Sequence, residues 1–259
     1  MALFTDADIV TLDDLQQFEN SLVQVSSTHN IDVAGKINLA SSVIGDKLML
    51  WLLNVCASDP QWLNRRLLGL STVVVTPTLQ KWLCFESLSR FFAEAYNLQL
   101  NTKFQGKWVE YQQAASEAAD MAFMSGIGIV YNPLPKPGMP FTSLQSGTTL
   151  PEALFIQTAW VDKFGQESAL SPVNGLILQQ PSTVSVAMGQ ALTVSPPAAV
   201  AWNIYASVSF NNLTRQNSMP LAINTSWTLP ASGLISGAEP INGQQPDFYV
   251  TLSNQIQRG

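Results

Sequence analysis

This chain is poor in charge and in the residues that bind metals or carry acid–base chemistry. Only 12% of its 259 residues are charged, about half the usual quarter, and it contains one histidine and two cysteines. One histidine with two separated cysteines cannot supply the usual four ligands of a zinc site. A Ser-His-Asp triad would have to use His29, yet no G-x-S-x-G nucleophile elbow occurs. His29 falls at an expected helix end, where a cation suits the helix dipole. No P-loop or G-x-G-x-x-G occurs; Gly126-Ile127-Gly128 lacks the third glycine and runs into prolines. The carboxylate pairs Asp13/Asp14, Glu117/Asp120 and Asp6/Asp8 read as helix caps and solvated faces rather than as a glycosidase pair. The expectation is a protein that is not an enzyme, with no catalytic, cofactor-binding or metal-binding residue.

Other absences narrow the class further. The net charge is −6, and Arg65-Arg66 is the one adjacent basic pair, which argues against binding nucleic acid along the phosphate backbone. Apolar runs such as Leu48 to Leu53 fall far short of the ~20 residues that a membrane span needs. The N-terminus reads as lacking a signal peptide. Cys56 and Cys84 lie in helical, apolar stretches, where a thiol acts as a small hydrophobe, so a reducing compartment is expected. Asn212-Leu213-Thr214 and Asn224-Thr225-Ser226 match the glycosylation pattern but read as turns.

What is present is order of two kinds, on either side of a proline-rich run. Tyr131-Asn132-Pro133-Leu134-Pro135-Lys136-Pro137-Gly138-Met139-Pro140 has four prolines in eight residues. Each fixes φ and removes a donor, so the run reads as a stiff extended linker. The expected organisation is multidomain, α and β: a helical bundle over 1–130, a linker over 131–140, and a β-sandwich with a C-terminal tail over 141–259. Charge follows the same division. Up to Lys136 there are 9 Lys+Arg and 13 Asp+Glu; beyond it there are 3 and 5. So few charges on the second half suit either a β domain with a Ser/Thr/Asn/Gln surface or a surface largely covered by partner subunits.

In the first half, Thr11 with Asp14 three residues on is a capping box. A helix is expected from there to Thr28, with Leu15, Phe18, Leu22 and Val25 on one face. Asp32 caps a second, whose stripe is Ile37, Ala40, Ile44, Leu48, Trp51 and Val55. Met49, Leu50 and Leu53 widen that stripe and suggest the most buried helix of the bundle. Asp59-Pro60 opens a short helix to Leu68, and Ser71 to Val75 reads as an extended connector or edge strand. Thr76-Pro77 opens the helix Thr78 to Tyr96, with Glu86 and Arg90 as an exposed pair. A last helix runs from Thr102 to Met124, ended by Gly126 and Gly128. Alanines in its second half imply a closely packed neighbour. In all, four or five helices are expected.

In the second half, Ala153 to Val161, Thr183 to Met188, Val200 to Val208, Leu221 to Ile223, Ser226 to Leu229 and Asp247 to Leu252 read as strands. Val200, Trp202, Ile204, Ala206 and Val208 alternate onto a core face, with Ala201, Asn203, Tyr205 and Ser207 opposite. Trp160 and Trp227 are left over as candidates for stacking on sugars.

The pattern Gln157-Thr158-Ala159-Trp160-Val161, Gly165-Gln166-Glu167-Ser168 and Ser171-Pro172, followed by Trp202-Asn203-Ile204-Tyr205, resembles fibronectin type III-like modules, which are frequent in virion proteins of tailed bacteriophages. The resemblance covers about 100 residues. By size, helix count and the opening Asp8-Ile9-Val10-Thr11-Leu12-Asp13-Asp14-Leu15, the helical half resembles the small adaptor proteins that form a ring beneath the portal of tailed phages. These resemblances imply a structural virion protein, a head–tail connector subunit assembled in the host cytoplasm. Its partners would be further copies of itself, the portal protein, and tail or neck proteins, with the capsid as a further neighbour. The alternative is a tail- or fibre-associated module that recognises a receptor or carbohydrate.

Overall fold

In the computed structural model, residues 1–6, 9–54, 69–149, 152–188, 195–241 and 243–251 are described. Val55, Cys56, the expected helix from Asp59 to Leu68, Arg65-Arg66, Asp8 and the tail beyond Thr251 lie outside them. The class is mixed α and β: helices come first, and antiparallel sheets follow. The chain divides into two compact units, but the division is interleaved. One unit holds Met1–Asp6 and Asn132–Gln245; the other holds Ala7–Tyr131 and Pro246–Gly259.

The helical unit contains α1 (Leu12–Gln16), α2 (Leu22–His29), α3 (Val33–Asn54), α4 (Pro77–Gln99) and α5 (Thr102–Ser125). The capping box forms as expected: Thr11 Oγ1 accepts from the Asp14 N–H, and the Asp14 carboxylate accepts from the Thr11 N–H. The helix does not run on to Thr28, however. It stops after Gln16 because Glu19 turns inward, where its carboxylate accepts from the Ser21 N–H and hydroxyl, from Tyr111 Oη and from Lys107 Nζ. Such local bonds offer the backbone an alternative to the helix. The most buried helix is α4, not α3. It packs against α5 and α3, and also against α1 and α2. Leu79, Trp82, Leu83, Leu88, Phe91 and Phe92 are therefore covered on several sides. In α3, Ala40, Ile44, Leu48 and Trp51 are buried as their spacing predicts, but Leu50 and Leu53 are exposed. Thr76 caps α4 with Pro77 at the first helical position, and Asn101 caps α5. Ala115, Ala118 and Ala122 of α5 are buried, and this second half of α5 belongs to the helix that packs most extensively on α4.

A small sheet completes this unit. β1 (Val73–Val74) pairs with β2 (Ile127–Ile129), and β2 pairs with β11 (Phe248–Val250). The short β-branched segment is thus an edge strand, as its sequence suggested. Gly126 ends α5, but Gly128 belongs to β2, opposite Tyr249. There a side chain would strike Pro246, with a Cβ only 2.8 Å from its Cγ. Asp247 fastens the seat: its N–H donates to the Ile129 carbonyl at 2.9 Å, and its carboxylate accepts from the Tyr131 N–H at 2.6 Å. The last strand of the sequence, assigned above to the β half, is therefore part of the helical unit.

The β unit has two antiparallel sheets. One has the order β10 (Trp227–Thr228), β6 (Ser182–Ala187), β3 (Phe141–Thr149); the other has β5 (Asn174–Ile177), β4 (Ala153–Asp162), β7 (Ala199–Ser207), β8 (Thr214–Arg215), with β9 (Leu221–Ala222) also on β7. Leu154, Ile156 and Trp160 of β4 and Trp202, Ile204 and Ala206 of β7 share one apolar cluster with Val184 and Val186 of β6 and Trp227 of β10. The alternation along β7 holds at its centre, but Val200 and Val208 at its ends are exposed. Its opposite face is also covered: Tyr205 packs with Ala159 and Leu213.

The proline-rich run is not a free linker. Leu134 is buried in the main β cluster, and its N–H donates to Gln244 Oε1 at 2.9 Å. The Lys136 N–H donates to Asp6 Oδ1 at 2.8 Å, with Asp6 brought from the start of the chain. The prolines leave few donors in this stretch; these two N–H groups find buried acceptors, which fixes the run on its own unit. The boundary between units falls at Tyr131/Asn132, and Gly243 is held against the backbone of Met1, with no room for a side chain.

Candidate functional site

Two places bring polar chemistry together, one in each unit. In the β unit the turn after β4 is drawn tight by Asp162, whose Oδ1 accepts from the N–H groups of Phe164 and Gln166 at 2.8 Å each. Gly165 sits there at φ 81°, a conformation open to glycine at little cost. This turn delivers Glu167 onto the side of β7 away from the main cluster. Glu167 Oε1 accepts from Asn203 Nδ2 and Oε2 from Tyr205 Oη, both at 2.6 Å. Asn203 in turn accepts from Asn217 Nδ2 at 2.7 Å, and Asn217 Oδ1 accepts from the Ile204 N–H at 3.0 Å. Ser168 Oγ accepts from the Trp160 N–H and Ser171 Oγ from the Thr158 N–H, at 3.0 Å each. Glu167, Ser168, Ser171, Asn203, Tyr205 and Asn217 are all buried. Burial pushes the Tyr205 hydroxyl well above its ordinary pKa, and its bond to Glu167 adds to the effect.

The two sequence motifs that carry the fibronectin-like resemblance therefore meet in space. Gly165-Gln166-Glu167-Ser168 supplies the carboxylate, and Trp202-Asn203-Ile204-Tyr205 supplies its two side-chain donors. Both Glu167 carboxylate oxygens are satisfied, and the residue is buried. A fully satisfied buried network of this kind fixes one arrangement of the strands. Its chemistry is structural.

In the helical unit, α3, α4 and α5 enclose a groove of about 610 Å³, with Lys47, Trp82, Arg90, Trp108, Asp120 and Phe123 in its walls. Its charges are largely committed or balanced. Arg90 Nη2 donates to Glu86 Oε1 at 2.7 Å, a pair that is partly buried rather than exposed. Lys47 lies over the Trp82 ring, 5.3 Å from its centroid, and Trp108 stacks on Tyr96. Trp82 Nε1 and Arg90 Nε are buried donors with no hydrogen-bond partner. Both N–H groups are shielded from solvent.

The residues weighed from sequence are scattered. His29 ends α2 and meets Phe104 edge-on at 5.5 Å. Asp13 and Asp14 sit in the first turn of α1. Glu117 accepts from Gln113 on its own helix, while Asp120 faces the groove. Trp160 and Trp227 are not available to sugars: they are 6% and 7% exposed, within the main β cluster. Cys84 is buried in α4, its thiol pushed up to about 12 by burial and by the nearby Asp14. Among the described residues, no three or more His, Cys, Asp or Glu side chains are grouped to hold a metal ion, and no helix is long and apolar enough to cross a membrane.

Glu19 is the functional-looking carboxylate that sequence reasoning passed over. Burial alone would raise its pKa, but hydrogen bonds from Ser21, Lys107 and Tyr111 outweigh burial and hold it below the ordinary value. Nothing in the local sequence marks it, because Tyr111 arrives from a helix 92 residues away. In a comparison with known proteins, no family model matches this chain and no curated protein is significantly similar to it.

Proposed function

We propose that this chain is a structural subunit of a protein assembly, a head–tail connector of a tailed-phage particle, with a helical unit and a fibronectin III-like sandwich. The observation that carries the reading is the combination of few charges with many exposed large apolar side chains. In the β unit these include Phe141, Leu144, Ile177, Val200, Val208 and Phe210; in the helical unit, Leu12, Val23, Leu98, Leu100, Met121 and Met124. Single exposed apolar residues are ordinary, but so many on a chain with 12% charged residues suit surfaces that neighbours cover.

Strand pairing supports the sandwich. In immunoglobulin-type sandwiches C, F and G form one sheet, while A, B and E belong to the other. Here β7, β4 and β5 pair in the order C-F-G, and β3, β6 and β10 in the order A-B-E. The chain visits them in the order A-F-G-B-C-E, with the F–G pair between A and B instead of after E. The buried bond between Glu167 and Tyr205 joins both signature motifs across this insertion.

Native mass spectrometry of the purified chain, alone and mixed with portal and tail proteins, tests the functional reading. Assembly into one closed stoichiometry, or capture by a portal ring, is the expected result. A chain that stays monomeric with every such partner, yet binds a cell-surface receptor or glycan, would move the function to host recognition.

A further inference from the structure

The turn between α4 and α5 holds a leucine where a helix end favours glycine or asparagine. Leu100 has φ 48°, in the left-handed region, and its N–H closes α4 on the Tyr96 carbonyl. Its side chain is 73% exposed, and Leu98 beside it is exposed as well. A leucine in this conformation carries strain and recovers little by burial within its own chain.

The same unit carries a groove to match. Val10, Leu12, Val23, Ile31, Val33 and Ile37, from α1, α2 and the start of α3 with their flanking residues, line an apolar recess of about 570 Å³. Leu12 and Val23 are exposed in it. The charges beside the two features are opposite. Asp32 lies in the groove wall, and the exposed Lys103 stands in the first turn of α5, three residues after Leu100.

We propose that Leu98 and Leu100 of one copy seat in this groove of a second copy, with Lys103 brought to Asp32. The proposal rests on the assembly reading above and gives it a contact. Burial of both leucines offsets the strain at Leu100, and the charge pair sets orientation more than strength. The knob and the recess are different patches of one unit, so the contact is head-to-tail. Repeated with a closing rotation, it makes a ring.

Sedimentation velocity on the full chain tests this with two variants. Leu100→Asn removes the knob and suits the left-handed backbone, so its circular-dichroism melting should match or exceed the parent's. Val23→Lys blocks the recess at an exposed position. Each variant alone should lose the assembled species. Mixed in equal amounts, they should form dimers and nothing larger, because one productive contact survives. If the parent assembles and both variants assemble equally well, this contact is wrong and the assembly reading stands. If the parent is monomeric at every concentration, with and without partners, both are wrong. Should Val23→Lys fail to fold, Leu12→Lys at the exposed edge of the same recess takes its place, with loss of assembly again expected; unchanged assembly would overturn the contact.

Discussion

At the scale of single residues, the β unit turns on Trp202 and Glu167. Trp202 is fully buried among residues of both sheets, and its Nε1–H donates to the Ala222 carbonyl at 3.1 Å. Truncation of such a residue costs about 3–5 kcal/mol, and a hydrogen bond is lost besides. Trp202→Ala should unfold or greatly weaken the β unit, as measured by denaturant unfolding. A folded variant of unchanged stability that had lost a partner would contradict this role. Trp202 and Ile204 were legible from period-two alternation alone. Glu167 was not, although its motif was recognised. Its role depends on β4 and β7 lying side by side, a pairing between distant segments that no local pattern encodes.

Among the elements, the helices with clear caps were the readable ones. Thr76-Pro77 marks the start of α4 within a residue, and α5 begins at Thr102 as its pattern predicts. The break between α1 and α2 was hidden because it depends on Tyr111 and Lys107, which reach Glu19 from α5. Strand β3 escaped notice as well, since Phe141-Thr142-Ser143-Leu144-Gln145-Ser146 is largely polar and follows prolines. The Glu19 site has a testable pH dependence. Its folded pKa lies below the ordinary value of 4.5, so the ionised carboxylate contributes stability above that value. That contribution is lost as pH falls through the folded pKa. Glu19→Gln should be less stable than the parent near neutral pH and should converge with it in acid. Chemical unfolding of the two proteins from pH 7 down to pH 3 would measure it. Parallel curves across that range would exclude a role for the ionised form.

The molecule as a whole departs most from its sequence reading in connectivity. Composition and periodicity separated a helical part from a β part, and that separation holds for most of the chain. What they could not reveal is that both ends cross over: Asp247 to Leu252 reads as a strand, but no local pattern names Ile127–Ile129 as its partner. Nor did the prolines mark a free linker, since Leu134 and the N–H groups of Leu134 and Lys136 are claimed by the β unit. The fragments 1–130 and 141–259 would each lack pieces of their own unit. Ending the chain at Gln245 should therefore destabilise the helical unit at the far end of the sequence. Hydrogen exchange at Tyr131, whose N–H is held by Asp247, should accelerate. Gly128→Val should act in the same direction by colliding with Pro246. Unchanged protection in both variants would mean that β11 adds nothing to that unit.

The central claim, that the chain is built to be one member of a ring, is tested most directly by electron microscopy of the particle that contains it. The account predicts density for this chain as a closed ring around a central channel, with α4–α5 turns meeting neighbouring subunits. Isolated copies at fibre tips, with their helical units apart from one another, would contradict it.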